Sequence, residues 1–142
     1  MGIAAFAYYR RVIESQKDSI FDEIIRVSKS ISADPAIIAG LEKAKKQVEF
    51  TSAVEEVKDG IPPALLINGD NPLSLMHSAL SEGLHARGDE ECLTWATDLR
   101  VVIAEFVERM AQVMKDNAEL HSAVSRLVNR NQLKQTNQGK GD

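Results

Sequence analysis

An all-α bundle of four to five helices, with long helices at the two ends, is the fold class that this sequence predicts. Three observations predict it. Residues 3 to about 31 and 90 to about 128 contain neither Gly nor Pro and repeat apolar side chains in steps of three and four. No two apolar runs offer each other strand pairing. From Cys92 to Leu127 the apolar residues follow a heptad repeat.

The elements follow in order. Phe6, Tyr9 and Ile13, then Ile20, Ile24, Val27 and Ile31, mark the buried face of a first helix, and the polar stretch from residue 14 to 19 predicts a bend or a solvent-facing turn inside it. Asp34-Pro35 combines an N-cap residue with a proline at the first helical position. The helix it starts is expected to reach about residue 50, with Ile37, Ile38, Leu41, Ala44 and Val48 inward. Thr51 or Ser52 would cap a short third helix through Val54 and Val57, stopped by Gly60 and Pro62-Pro63. Residues 64–67 read as a buried helical turn or an extended connector, and residues 68–70 as a turn. Asn71-Pro72 repeats the cap-plus-proline signal and opens an amphipathic helix carrying Leu73, Met76, Ala79 or Leu80 on one face and Ser74, His77, Ser81 and His85 on another.

Three acids, Asp89, Glu90 and Glu91, precede the last helix, where the helix dipole favours negative charge. Its seam runs Cys92, Ala96, Leu99, Ile103, Phe106, Met110, Val113, Asn117, Leu120, Val124, Leu127, with Asn117 the single polar member. Either Asn117 is a polar seam residue that fixes the register of a pair of helices, or the helix breaks there. On the first reading Met110, Val113, Asn117, Leu120 and Val124 form a dimer seam, since it outlasts what a small bundle needs. The domain is expected to span residues 1–128. A polar tail over 129–142 has too few apolar residues to pack and is expected to be disordered.

With 142 residues, 44% of them hydrophobic, the chain can build one core but not two full-sized domains. Its single cysteine excludes an internal disulfide and a cysteine-based zinc site, which points to a reducing, cytoplasmic setting with Cys92 in the core. No apolar run is long enough to cross a membrane, and Arg10-Arg11 follows the apolar opening where a secretory signal would place positive charge ahead of it. A net charge of −4 argues against a surface that coats nucleic acid at large. A core helix that begins at residue 3 is what a fragment with a further segment upstream would show.

Chemistry candidates are few. His77 and His85 lie about 12 Å apart along a helix axis, too far to share one ion, so neither a metal nor another cofactor is expected. Glu82 stands one turn from His85 and could form a proton-transfer couple with it, against the plainer reading of His85 as a helix-end histidine. Arg10 and Arg11, with Glu14 one turn on, form a charged face that is either solvated or a binding patch, and His77 and Ser81 are candidate binding residues on the later helix. The Asn68-Gly69 turn lacks the glycines and lysine of a phosphate loop.

The opening from Ala4 to Glu14, an apolar stretch followed by Arg-Arg, two apolar residues and Glu, resembles the first helix of bacterial HEPN-like domains (higher eukaryotes and prokaryotes nucleotide-binding superfamily). The segment from Leu80 to His85, with a turn, acids and a long apolar helix after it, is similar to that family's closing pattern. The resemblance implies a helical bundle that pairs as a homodimer, often in defence or stress systems acting on RNA. Active members carry an Arg separated from the His by four to six residues and cut RNA without metal. Here the positions preceding His85 hold Ser78, Ala79 and Leu80, and Arg87 follows it. The expectation is therefore a non-catalytic, dimerising module with an interaction or regulatory role. Its alternatives are a divergent ribonuclease using His85, Glu82 and Arg87, and a helical adaptor for another protein.

Overall fold

The structure, a computed structural model, describes residues 2–84 and 88–139. It is all-α. Among the described residues the α-helices are α1 (Gly2–Ser15), α2 (Lys17–Ser30), α3 (Pro35–Lys45), α4 (Phe50–Val57), α5 (Pro72–Leu84) and α6 (Asp89–Gly139), with a 3-10 turn at Pro63–Leu65 before α5. The count is six where four to five are expected, because the first expected helix is two.

The break falls at Gln16, inside the polar stretch. Its backbone leaves helical geometry (φ −101°, ψ 9°) while the flanking bonds survive: Gln16 N–H donates to Val12 O, and Ile20 N–H to Gln16 O, both at 2.9 Å. The kink turns Lys17 inward, where its Nζ donates to Asp18 Oδ1 (2.8 Å) and to Lys45 O (2.7 Å), the last carbonyl of α3. A buried ammonium is tolerated because it is paired and hydrogen-bonded. Lys45 is held in turn by Asp22 across the α2–α3 surface, at 2.6 Å.

The helix expected to run to about residue 50 ends instead at Lys45, and Val48 is exposed to solvent. Lys17 takes the terminal carbonyl from one side. On the other, α4 starts at Phe50, whose N–H donates to Glu14 Oε2 at 3.3 Å. Neither Thr51 nor Ser52 caps α4; its N-cap position is Glu49, which makes no side-chain bond there. The local signals elsewhere are realised. Asp34 accepts from Ala36 N–H at 2.9 Å, ahead of Pro35. Asn71 Oδ1 accepts from Leu73 N–H at 2.9 Å, and its Nδ2 donates to Val57 O and Lys58 O, so one side chain closes α4 and opens α5. Residues 64–67 form the 3-10 turn and an extended step. Asn68 (φ 52°) and Gly69 (φ 85°) make the tight reversal that pairs Ile67 with Asp70.

Helix α6 is the spine, packed on α1 and α5 and, further on, α2. It runs in the same direction as α1. Gly2 lies on the backbone of Asp89 and Leu93, and Gln16 borders the same groove as Val107 and Met110. Ile3 N–H donates to Asp89 Oδ1 at 3.1 Å, so this carboxylate sits at the N-termini of both helices, where the dipoles favour it. Phe21, Ile24 and Val27 of α2, Leu41 and Ala44 of α3, Phe50 and Val57 of α4, Leu73 and Met76 of α5, and Ala96, Leu99, Phe106 and Met110 of α6 fill one core.

Of the tail expected to be disordered over 129–142, residues 129–139 are helical, and residues 140–142 lie outside the described residues. Growing a helix from an existing end adds one hydrogen bond per residue ordered, and Arg, Gln, Leu and Lys in this stretch are good helix formers.

Two glycines give opposite expectations for one substitution. A Cβ at Gly83 would run into the Phe6 ring, so Gly83→Ala should cost about 1–3 kcal/mol. Gly40, inside α3 with open space around it, should become more stable by about 0.5–1 kcal/mol as Ala. Urea denaturation of the two variants checks both signs.

The Lys17 hydrogen bond, and then its charge, hold the Asp18 carboxyl below the usual carboxylate range. A folded-state value below the unfolded one gives stability that is complete above the ordinary Asp value of about 3.9 and is lost as pH falls through the lowered one. Denaturation midpoints should therefore fall as the pH drops below about 4, and Asp18→Asn should show a smaller fall over the same range.

Candidate functional site

Glu82 is exposed near the end of α5, while His85 and Arg87 lie outside the described residues. Ser74, His77 and Ser81 line one side of α5 as expected, but all three are half-buried. Arg10 and Arg11 are exposed on α1, and Glu14, read from sequence as part of their charged face, supplies the first N–H of α4 with its acceptor. Among the described residues no three His, Cys, Asp or Glu side chains are grouped to hold a metal. Cys92 is buried at the head of the α6 seam. No helix among the described residues is long and apolar enough to cross a membrane.

The seam of α6 divides into two parts. Met110 is buried by α6's own neighbours, and Val113 is half-buried against the same core. Asn117 is neither a break nor bare: the helix passes through it, and its Nδ2 donates to Ser30 O at 2.9 Å. The need for that bond is local to α2. At the end of α2, Val27 O, Ser28 O and Lys29 O accept from Ile31, Ala33 and Ser32 N–H in a reversed turn with Ser32 at φ 55°, which leaves Ser30 O for a donor from elsewhere.

Beyond Asn117 the same stripe emerges from the domain. Leu120 is 64% exposed, Val124 49% and Leu127 57%. Of the five residues expected to form a dimer seam, only Leu120 and Val124 are thus free for a partner. Val128 and Leu133, assigned by the sequence reading to the domain edge and the tail, are exposed on the same helix. Their signal was the continued absence of Gly and Pro to residue 138.

Residues 118–139 make about 33 Å of helix. Two grooves lead up to this arm along α6. One, between α6 and α2, is bordered by Ile20, Val107, Met110 and Ala111. The other, beside the 3-10 turn, is bordered by Ala64, Glu105, Glu108, Arg109, Gln112 and Asp116. There Arg109 Nη2 is paired with Glu105 Oε1 at 2.9 Å, and Gln112 Nε2 donates to Asp116 Oδ1 at 2.8 Å, so the groove is acidic overall.

Compared with known proteins, the chain matches no family model, no curated protein and no solved structure.

The division of the seam is measurable with one substitution at two equivalent positions. Leu99→Ala, in the covered part, should cost about 2–5 kcal/mol. Leu127→Ala, on the arm, should stay within about 0.5 kcal/mol when the chain is diluted to its monomer. Chemical denaturation at low concentration compares them.

Proposed function

We propose that this chain is a non-catalytic helical module of the HEPN-like kind, which associates through α6 with a second copy of itself and serves an interaction or regulatory role. The observation that carries the reading is the arm of α6, where Leu120, Val124 and Leu127 stand exposed on one stripe. An apolar stripe on a helix with nothing packed on it is the surface a second helix covers. Apolar burial supplies the driving force, at about 25 cal/mol per Å² removed from water. The absence of Arg among the residues just ahead of His85 supports a module that binds and does not cut.

Light scattering or sedimentation equilibrium at tens of micromolar chain should give twice the monomer mass. Val124→Glu, which places a charge in the seam, should return the mass to that of the monomer while the domain's denaturation midpoint in dilute solution stays unchanged. A monomer at every concentration would overturn self-association. Cleavage of structured or single-stranded RNA that disappears in His85→Ala would overturn the non-catalytic reading.

A further inference from the structure

The charges along α6 are segregated. Residues 104–119 carry Glu105, Glu108, Asp116 and Glu119 against Arg109, already paired with Glu105, and Lys115. From residue 120 to 139 the only Lys, Arg, Asp or Glu side chains are Arg126, Arg130 and Lys134. The helix thus runs from an acidic stretch into a basic one along the same line as its exposed apolar stripe.

We infer that two copies of this chain pair through α6 antiparallel, crossing near Ala123, so that the basic end of each lies along the acidic groove of the other. This rests on the self-association reading and adds the orientation and register. With Ala123 of one copy opposite Ala123 of the other, Leu120 comes within one residue of level with Leu127 twice and Asp116 meets Arg130 twice. Glu119 faces the Arg126 turn. Arg130 and Lys134 then lie level with Asp116 and Gln112, at the mouth of the groove that Glu105 and Glu108 also border. Ala123 is small enough to let the two helices approach where they cross.

A parallel pair fails on two counts. Its seam would set Lys134, which falls on a core position of the heptad, against its own counterpart, and Arg126 and Arg130 beside theirs. The seam face of α6 as far as Met110 is also occupied by its own domain. Two parallel copies would bring both domains to that one side at one end. The antiparallel pair keeps the domains at opposite ends, and the second helix slides off the covered seam into the groove beside the 3-10 turn.

Charge exchange tests the register. Asp116→Arg and Arg130→Asp should each weaken dimerisation about tenfold, since each breaks two exposed ion pairs and sets like charges opposite. The double variant should recover to within about threefold of the original. As a second measurement, Leu127→Cys should form no disulfide with itself under mild oxidation, because residue 127 lies about two helical turns from its counterpart in this register; the native Cys92 is buried. A dimer in which Leu127→Cys links to itself, or in which the exchange gives no recovery, overturns the antiparallel register and leaves self-association standing. A chain that stays monomeric overturns both.

Discussion

Burial of the α6 seam, Cys92, Ala96, Leu99, Phe106 and Met110, is the interaction on which the other contacts depend, because α1, α5 and the end of α2 all find their apolar cover on that one helix. α1 is placed beside it by the close approach of Gly2 to the Asp89 and Leu93 backbone and by the carboxylate that Asp89 presents to Ile3 N–H. α5 is placed by Gly83, on which the Phe6 ring lies flush with no room for a side chain. Once α1 and α5 are seated, α2 continues from α1 through the Gln16 kink, and α3 and α4 close the far side of the core. The remaining helices are therefore organised by relay, with α3 touching α2 and α4 and neither building directly on the spine.

That relay depends on polar groups used across helix ends. Lys17 satisfies the last carbonyl of α3, Glu14 the first amide of α4, Asn71 the end of α4 and the start of α5, and Asn117 the last carbonyl of α2. Each of these helices is short, so unpaired terminal groups are a large share of its backbone and their satisfaction decides where it stops. The ion pairs on the surface, such as Lys29 with Glu42 and Lys43 with Glu56, contribute far less individually because solvent screens them.

What could be read in the sequence follows from the range of the cause. The caps at Asp34 and Asn71 were legible because an Asx side chain reaches an amide two residues on, and a proline follows each. The α6 seam was legible because it is periodic. The end of α3 was not, since Lys17 reaches it from 28 residues away and nothing near Lys45 announces a stop. Helix through residues 129–139 was missed because composition reports the failure to pack, whereas a helix already nucleated continues without packing. Of the candidate chemistry, Glu14 is used within the fold, where it accepts from the Phe50 N–H, a contact 36 residues away that its position on the Arg10-Arg11 face does not announce.

Asn117 shows why periodicity alone could not divide the seam. A heptad position states which side of the helix a residue occupies; it does not state whether the cover comes from the same chain or from another. That boundary is set by how far α2 reaches along α6, and α2 stops at Ser30 because Ser32 turns its backbone into the left-handed region. The carbonyl left over at Ser30 requires a donor, and the seam position nearest to it is the one that is polar. Leucine there would extend the apolar stripe by one layer and leave the α2 terminus short of a partner, while Asn ends the intramolecular seam with a hydrogen bond. The polar residue that in an isolated coiled coil would specify pairing between two chains here closes the packing within one. Everything on the stripe beyond it, beginning at Leu120, then lies past the reach of the chain's own helices, which is why the free surface starts where it does.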